Sequence, residues 1–225
     1  MPTRPVVTQV LIAFMGLVFA LQELWPERML AWFALWPDVG PIRVGSAHGV
    51  PVFARFGLWQ FLTHGFLHGS LAHLFVNGLA LYMFGSLLEQ VWGGLRYLVF
   101  FLVCVIGGGL LQFWWIGVPE GNEVSVTLGA SGGLFGLLTA FAVLFPRHRV
   151  MLLLPPVPMP AWLLVTLFAL ASTVLGLTGL VPGIAHFAHL GGLVAGLLMY
   201  VLFARRWWRP GDVPAAWRAA MRPDE

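Results

Sequence analysis

The chain has 225 residues, of which 59% are hydrophobic and 9% charged. A soluble domain carries about 25% charged residues, so this chain has too little polar surface to cover itself in water, and a bilayer is its expected solvent. The formal charge is +3 and all twelve basic residues are Arg; five of them (Arg205, Arg206, Arg209, Arg218 and Arg222) crowd the C-terminal stretch, which reads as a flank beside anionic lipid rather than a nucleic-acid interface.

A membrane-spanning helix needs about 20 mostly apolar residues. In chain order six segments fit or approach that length: residues 7–25, 71–88, 95–115, 130–145, 161–177 and 185–204. None alternates apolar with polar as barrel strands do, so an all-α membrane protein, a six-helix bundle, is expected. No small-x-small cleavage site follows the first segment, which therefore reads as an anchor. The connection over 26–70 is long and holds Trp32, Trp36 and Trp59, an aromatic content that suits the membrane interface. The fourth segment is short and rich in Gly. The single Cys104 excludes an intramolecular disulfide. Residues 1–204 form the expected membrane domain and 205–225 a basic tail.

Arginine placement gives an orientation. With the N-terminus on the cytoplasmic side, nine Arg fall inside and three outside, which favours both termini inside. The second, fourth and sixth helices then start at the outer face.

Few residues could do chemistry. Gly129-Ala130-Ser131-Gly132-Gly133 opens the fourth helix and formally matches the G-x-S-x-G pattern of soluble hydrolases, but a loop leading into a membrane helix is not that pattern's strand-to-helix setting. A Ser at a helix N-terminus still sits among unpaired N–H groups and the positive end of the dipole, which could stabilise an oxyanion. Taken alone, Ser131 reads more readily as a cap or a packing residue. His189 stands near the start of the sixth helix, and an ionisable group there is as well structural as functional; His186 reads as an interfacial neighbour. His73 and Asn77, four apart, share one face of the second helix, either as a mutually satisfied polar pair or as donors aimed at a reacting carbonyl. Gly132 with Gly136, and Gly192 with Gly196, are small-xxx-small pairs that permit close approach of the fourth and sixth helices, which would bring Ser131 near His189. Phe135, four residues after Ser131, could stack on the imidazole. The Arg distribution, which ignores all of these residues, puts Ser131, His189, His73 and Asn77 in the outer halves of their helices.

Two sharper alternatives fail on detail. His64-Gly65-Phe66-Leu67-His68 has metal-ligand spacing but lacks the Glu of H-E-x-x-H, so no metal is expected. A Ser-His-Asp triad lacks its acid, because no carboxylate lies in the last three helices and Glu89 is at the inner end of the second. A dyad is the expectation.

Together these residues resemble the rhomboid family of intramembrane serine proteases, in the six-helix form typical of bacteria. The match runs through His64-Gly65-Phe66-Leu67-His68, His73-Leu74-Phe75-Val76-Asn77, Gly129-Ala130-Ser131-Gly132 and Ala188-His189-Leu190-Gly191-Gly192 with Gly196, in this order and over nearly the whole chain. The resemblance implies Ser131 as nucleophile, His189 as its base, and His73, Asn77 and the Ser131 backbone N–H as the oxyanion hole, with Gly129 shaping the approach. It implies transmembrane protein substrates cut in or beside a helix, with the bilayer as the other partner and neither cofactor nor nucleic acid. It makes 26–70 a partly embedded hairpin and 179–185 a cap. Two positions depart from the family: Trp59-Gln60 replaces a common Trp-Arg pair, and Phe135 stands where a Tyr is frequent. A non-catalytic member of the same fold would be expected to lack Ser131 or His189, and a proton-coupled transporter would need acidic residues in its helices; neither description fits this sequence.

Overall fold

The computed structural model describes residues 4–116, 125–151 and 156–207. The apolar runs form helices close to their expected bounds. Helix α1 is Val6–Leu24, α4 is Leu71–Ala80, α5 is Ser86–Trp92, α6 is Gly94–Ile116, α7 is Ser131–Leu144, α8 is Ala161–Thr178 and α9 is His186–Leu202. Helices α4 and α5 are one continuous rod joined by a π-turn, Leu81–Gly85, and correspond to the expected second segment extended by four residues at its C-terminal end. Among the described residues, four of these rods are 18 or more residues long and apolar enough to cross a bilayer by length and composition, and α7 and α9 are shorter. The basic tail beyond 207 lies outside the described residues.

The connection over 26–70 is not a plain loop. It carries a short helix α2, Pro26–Phe33, an antiparallel hairpin of β1, Ile42–Ala47, and β2, Val50–Ala54, then α3, Gln60–Thr63, and a 3-10 turn, His64–Phe66. Pro26 at the first helical position starts α2 with its fixed φ and no wasted N–H. The hairpin turn passes through His48 and Gly49, both at positive φ. A second small hairpin, β3 (Arg149–Met151) with β4 (Pro158–Pro160), links α7 to α8.

Helix α7 is the axis of the bundle, buried along nearly its whole length. Glycine makes this possible. A Cβ at Gly192 of α9 would collide with the Gly132 backbone of α7, and one at Gly196 would lie 2.6 Å from the Gly136 Cα. Gly108 of α6 meets the same crossing: a Cβ there would lie 2.7 Å from the Ala188 carbonyl oxygen and 3.2 Å from the Gly132 Cα. Three backbones therefore touch, the arrangement small residues permit where lipid supplies no hydrophobic drive between helices. Leu11, Met15, Leu81, Phe100, Phe101 and Phe141 belong to one continuous buried apolar cluster.

With 14 residues, α7 is only about 21 Å long, against a hydrocarbon layer of about 30 Å. A helix this short leaves room at its ends, and a cavity opens at its first residue. At the opposite end Glu89 is buried and accepts hydrogen bonds from the N–H groups of Val7 and Thr8 (2.8 and 2.7 Å) and from the Thr8 hydroxyl (2.8 Å). A carboxylate from α5 thus caps the start of α1, where the helix dipole favours negative charge.

Candidate active site

The cavity above α7 has a volume of about 790 Å³ and is lined by Gly69, His73, Val76, Asn77, Ser125, Val126, Leu128, Ser131, Phe135, Gly183, Ile184, Ala185 and His189. Three helices open into it at their N-terminal ends. Ser131 is the first residue of α7, His189 lies in the first turn of α9, and His73 and Asn77 lie in the first two turns of α4.

The Ser131 Oγ and His189 Nε2 are 2.9 Å apart, a hydrogen bond between residues 58 positions apart in the chain. The Phe135 ring lies over the imidazole at 4.3 Å and within 6° of parallel, and its other contact is Phe168 of α8. Ser131 begins its helix, so its backbone N–H has no intrahelical acceptor and is available to the cavity. The glycine crossing described above sets the α7–α9 spacing on which the Ser131–His189 bond depends.

On the other wall, Ser70 caps α4 by accepting the His73 N–H at 3.1 Å, which fixes where the helix starts. The Asn77 side-chain nitrogen is buried with no hydrogen-bond partner. A buried amide left so costs a few kcal/mol in apolar surroundings, and one that faces a cavity is placed to donate to whatever fills it. Gly129 sits between this wall and Ser131. Its φ is +122°, and a Cβ there would come 2.7 Å from His73 Cε1, 3.0 Å from His73 Nε2 and 3.8 Å from Asn77 Nδ2. Only glycine lets the backbone lie under both side chains. Its N–H donates to the His64 carbonyl at 2.8 Å, and Thr127 pairs with Leu35 in an isolated β-bridge, so the segment entering α7 is tied to the first connection.

That connection also explains Gln60. Its buried side chain accepts the Trp36 N–H at 3.2 Å and donates to the Arg55 carbonyl at 2.8 Å, while the Trp59 indole N–H donates to the Trp32 carbonyl at 2.7 Å. The Trp59-Gln60 pair thus ties α2, β2 and α3 together without a charge. His64 is buried beneath it, with Nδ1 2.8 Å from the Gln60 carbonyl oxygen; burial lowers its pKa to about 4. His68 is buried edge-on to His73, ring centroids 5.0 Å apart, and burial followed by the charge of His73 lowers its pKa to about 4.

His186, read from the sequence as an interfacial neighbour, is buried, and a Cβ at Gly176 of α8 would lie 3.1 Å from its Cβ. Further contributors stand on α6. Gly107 and Gly108 extend the crossing to α6, and the Gln112 side-chain oxygen accepts the Ala188 N–H at 3.0 Å, next to His189. The glycine run 107–109 is visible in the sequence, but its partner helix is not.

Fold and cavity together define a multi-pass membrane protein that holds a serine and a histidine in contact at the shared mouth of its helices. The chain belongs to the rhomboid family, whose Rhomboid domain matches residues 55–206. It is 35% identical over 133 residues to Rhomboid protein 1, mitochondrial, of Saccharomyces cerevisiae, covering 59% of this chain and 38% of that protein. It is 34% identical over 138 residues to Rhomboid-like protease 5 of Toxoplasma gondii (59% and 15% covered) and 30% identical over 165 residues to RHOMBOID-like protein 1 of Arabidopsis thaliana (73% and 39%). The chain therefore spans well under half the length of these relatives.

Proposed function

We propose that this protein is an intramembrane serine endopeptidase that cleaves transmembrane proteins with a Ser131–His189 dyad. The observation that carries the reading is the 2.9 Å contact between the Ser131 hydroxyl and His189 Nε2 in an open cavity. The relative named as a protease, in Toxoplasma gondii, adds support.

In this mechanism Ser131 Oγ attacks the scissile carbonyl carbon as His189 Nε2 takes the hydroxyl proton. The carbonyl oxygen becomes an oxyanion, met by the Ser131 N–H, the Asn77 side-chain N–H and His73 Nε2–H. The intermediate collapses: the C–N bond breaks, His189 passes its proton to the departing amine, and an ester to Ser131 remains. Water then repeats the sequence, with its proton on His189 and its oxygen on the acyl carbon, and Ser131 is restored.

Peptide hydrolysis needs water, and polar groups at membrane depth are tolerated only around a protein-lined wet cavity. The substrate must also be extended where it is cut, since a helical peptide engages its own carbonyls; substrates with locally weak helices follow. Arginine placement supports both termini on the cytoplasmic side of a cell membrane, with the cavity towards the outer face, residues 1–204 as the membrane domain and 205–225 as a cytoplasmic tail.

The test is cleavage of a reporter transmembrane substrate by purified protein in bilayers. Ser131→Ala and His189→Ala should each abolish cleavage with the bundle still folded. Cleavage surviving Ser131→Ala would overturn the mechanism, and binding without cleavage by the wild type would identify a non-catalytic escort.

A further inference from the structure

Gln22 lies near the end of α1 and is buried, yet it takes no part in the chemistry above. Its side-chain nitrogen donates to the His68 carbonyl oxygen at 2.7 Å, and its side-chain oxygen accepts the His68 N–H at 3.2 Å. One amide therefore grips both backbone groups of a single residue 46 positions away.

The His68 carbonyl belongs to the same planar peptide as the Gly69 N–H, and in a trans peptide the two point in opposite directions. The Gly69 N–H faces His73 Nδ1 at 3.4 Å. An N–H can only meet a ring nitrogen that carries no proton, so this contact places the imidazole proton on Nε2. Nε2, with its neighbour Cε1, is on the ring edge that faces Gly129 at the cavity, 3.0 Å from where a Cβ there would stand.

We infer that Gln22 is a positioning residue: by clamping the peptide plane between His68 and Gly69 it holds His73 in the Nε2–H form, the only neutral form that can donate from that nitrogen to an oxyanion. The inference rests on the hydrolase reading for its catalytic consequence, and on the hydrogen bonds alone for the tautomer. At 3.4 Å the Gly69–His73 bond is long, too weak to hold a ring while its donor plane swings freely. Gly69 is exposed and has a glycine's freedom at the very joint where that swing would occur. Two hydrogen bonds from Gln22 remove the freedom on the His68 side. The bond at the carbonyl also polarises the N–H across the same peptide, which strengthens the long contact.

The test joins a spectrum to a kinetic cycle. Histidine ¹⁵N spectra of the full-length protein in bicelles at about pH 8, with His73 assigned by comparison with His73→Ala, report which ring nitrogen is bare. The wild type should show Nδ1 bare and Nε2 protonated, and Gln22→Met should share the proton between the two. A wild-type His73 protonated on Nδ1, or a Gln22→Met spectrum identical to wild type, overturns the inference. In the cycle, kcat is normalised to the fraction labelled by a serine-reactive probe, so a folding defect does not count. Gln22→Met should lower kcat roughly tenfold with KM unchanged, less than loss of an oxyanion donor, and should cause no further loss in a His73→Ala background. An equal loss in both backgrounds overturns it. Gln22→Glu, which keeps the shape and the bond from the His68 N–H but loses the donor to the carbonyl, serves where Gln22→Met does not fold and has the same expected outcomes. A wild type that cleaves no substrate would sink the hydrolase reading, while the spectra would still decide on the clamp.

Discussion

The rings of Phe135 and His189 lie 4.3 Å apart and nearly parallel, with the Ser131 hydroxyl on the imidazole edge at 2.9 Å. Phe135 and Ser131 are one helical turn apart on α7, so a single helix supplies both the group that the imidazole serves and the surface that orients it. An aromatic pair of this kind is worth about 0.5–1.5 kcal/mol. Phe135→Ala should therefore lower kcat about two- to twelvefold in a reporter cleavage assay without abolishing it. Phe135→Tyr should retain activity close to wild type, because stacking needs the ring and not the hydroxyl.

Gly129→Ala tests the floor of the proposed oxyanion site. A positive φ costs a non-glycine residue about 1–3 kcal/mol, and the new methyl would press on His73. The expected outcome is loss of most cleavage at a thermal midpoint lowered by only a few degrees, measured on the same bicelle preparation.

Asn77→Ala removes one of the three proposed oxyanion donors. Loss of a single oxyanion donor costs about 10²–10³ in kcat, and His73 and the Ser131 N–H remain. Cleavage should be slow but measurable with KM little changed, in contrast to the complete loss expected for Ser131→Ala. A drop in binding alone, with kcat intact, would remove Asn77 from the oxyanion site.

Glu89→Ala concerns stability. It strands two N–H groups and a hydroxyl at the start of α1, each costing about 1–3 kcal/mol if it finds no water. The thermal midpoint should fall clearly, while kcat per labelled active site stays near wild type, because Glu89 is at the opposite end of the bundle from Ser131.

Acid should destabilise the first connection. His64 and His68 are buried and neutral, each with its pKa lowered from 6.5 to about 4 by burial. The unfolded chain binds a proton near pH 6.5 while the folded one does not until near pH 4. Their contribution is thus fully present above the unfolded pKa and is lost as pH falls from about 6.5 towards 4. The thermal midpoint should decline over that window, and His64→Gln should flatten the decline.

The helices were legible because lipid imposes a length. An apolar run of about 20 residues can hardly be anything else, and the expected bounds of α1, α6, α7 and α8 fall within a residue or two of those observed. The candidates for chemistry were legible for a related reason: Ser131, His189, His73 and Asn77 are polar groups in an apolar setting, and polar groups there are few. The hairpin of β1 and β2 was not. A stretch rich in Trp, Phe, Pro and Gly carries no clean period, so the strand pairing within 26–70 could not be read. The π-turn at Leu81–Gly85 was equally silent, since it leaves composition unchanged.

By itself the sequence determined that this chain is a helical membrane protein and which side chains are candidates for chemistry, because hydrophobic length and scarce polar groups are local properties. Tertiary structure alone decided that Ser131 meets His189, that Gly108 joins the α7–α9 crossing, that Glu89 caps a helix more than eighty residues away, and that Gln22 grips the backbone of His68. Those contacts depend on how rods turn and slide against each other, and a one-residue rotation about a helix axis, about 100°, would undo any of them with the amino-acid order unchanged.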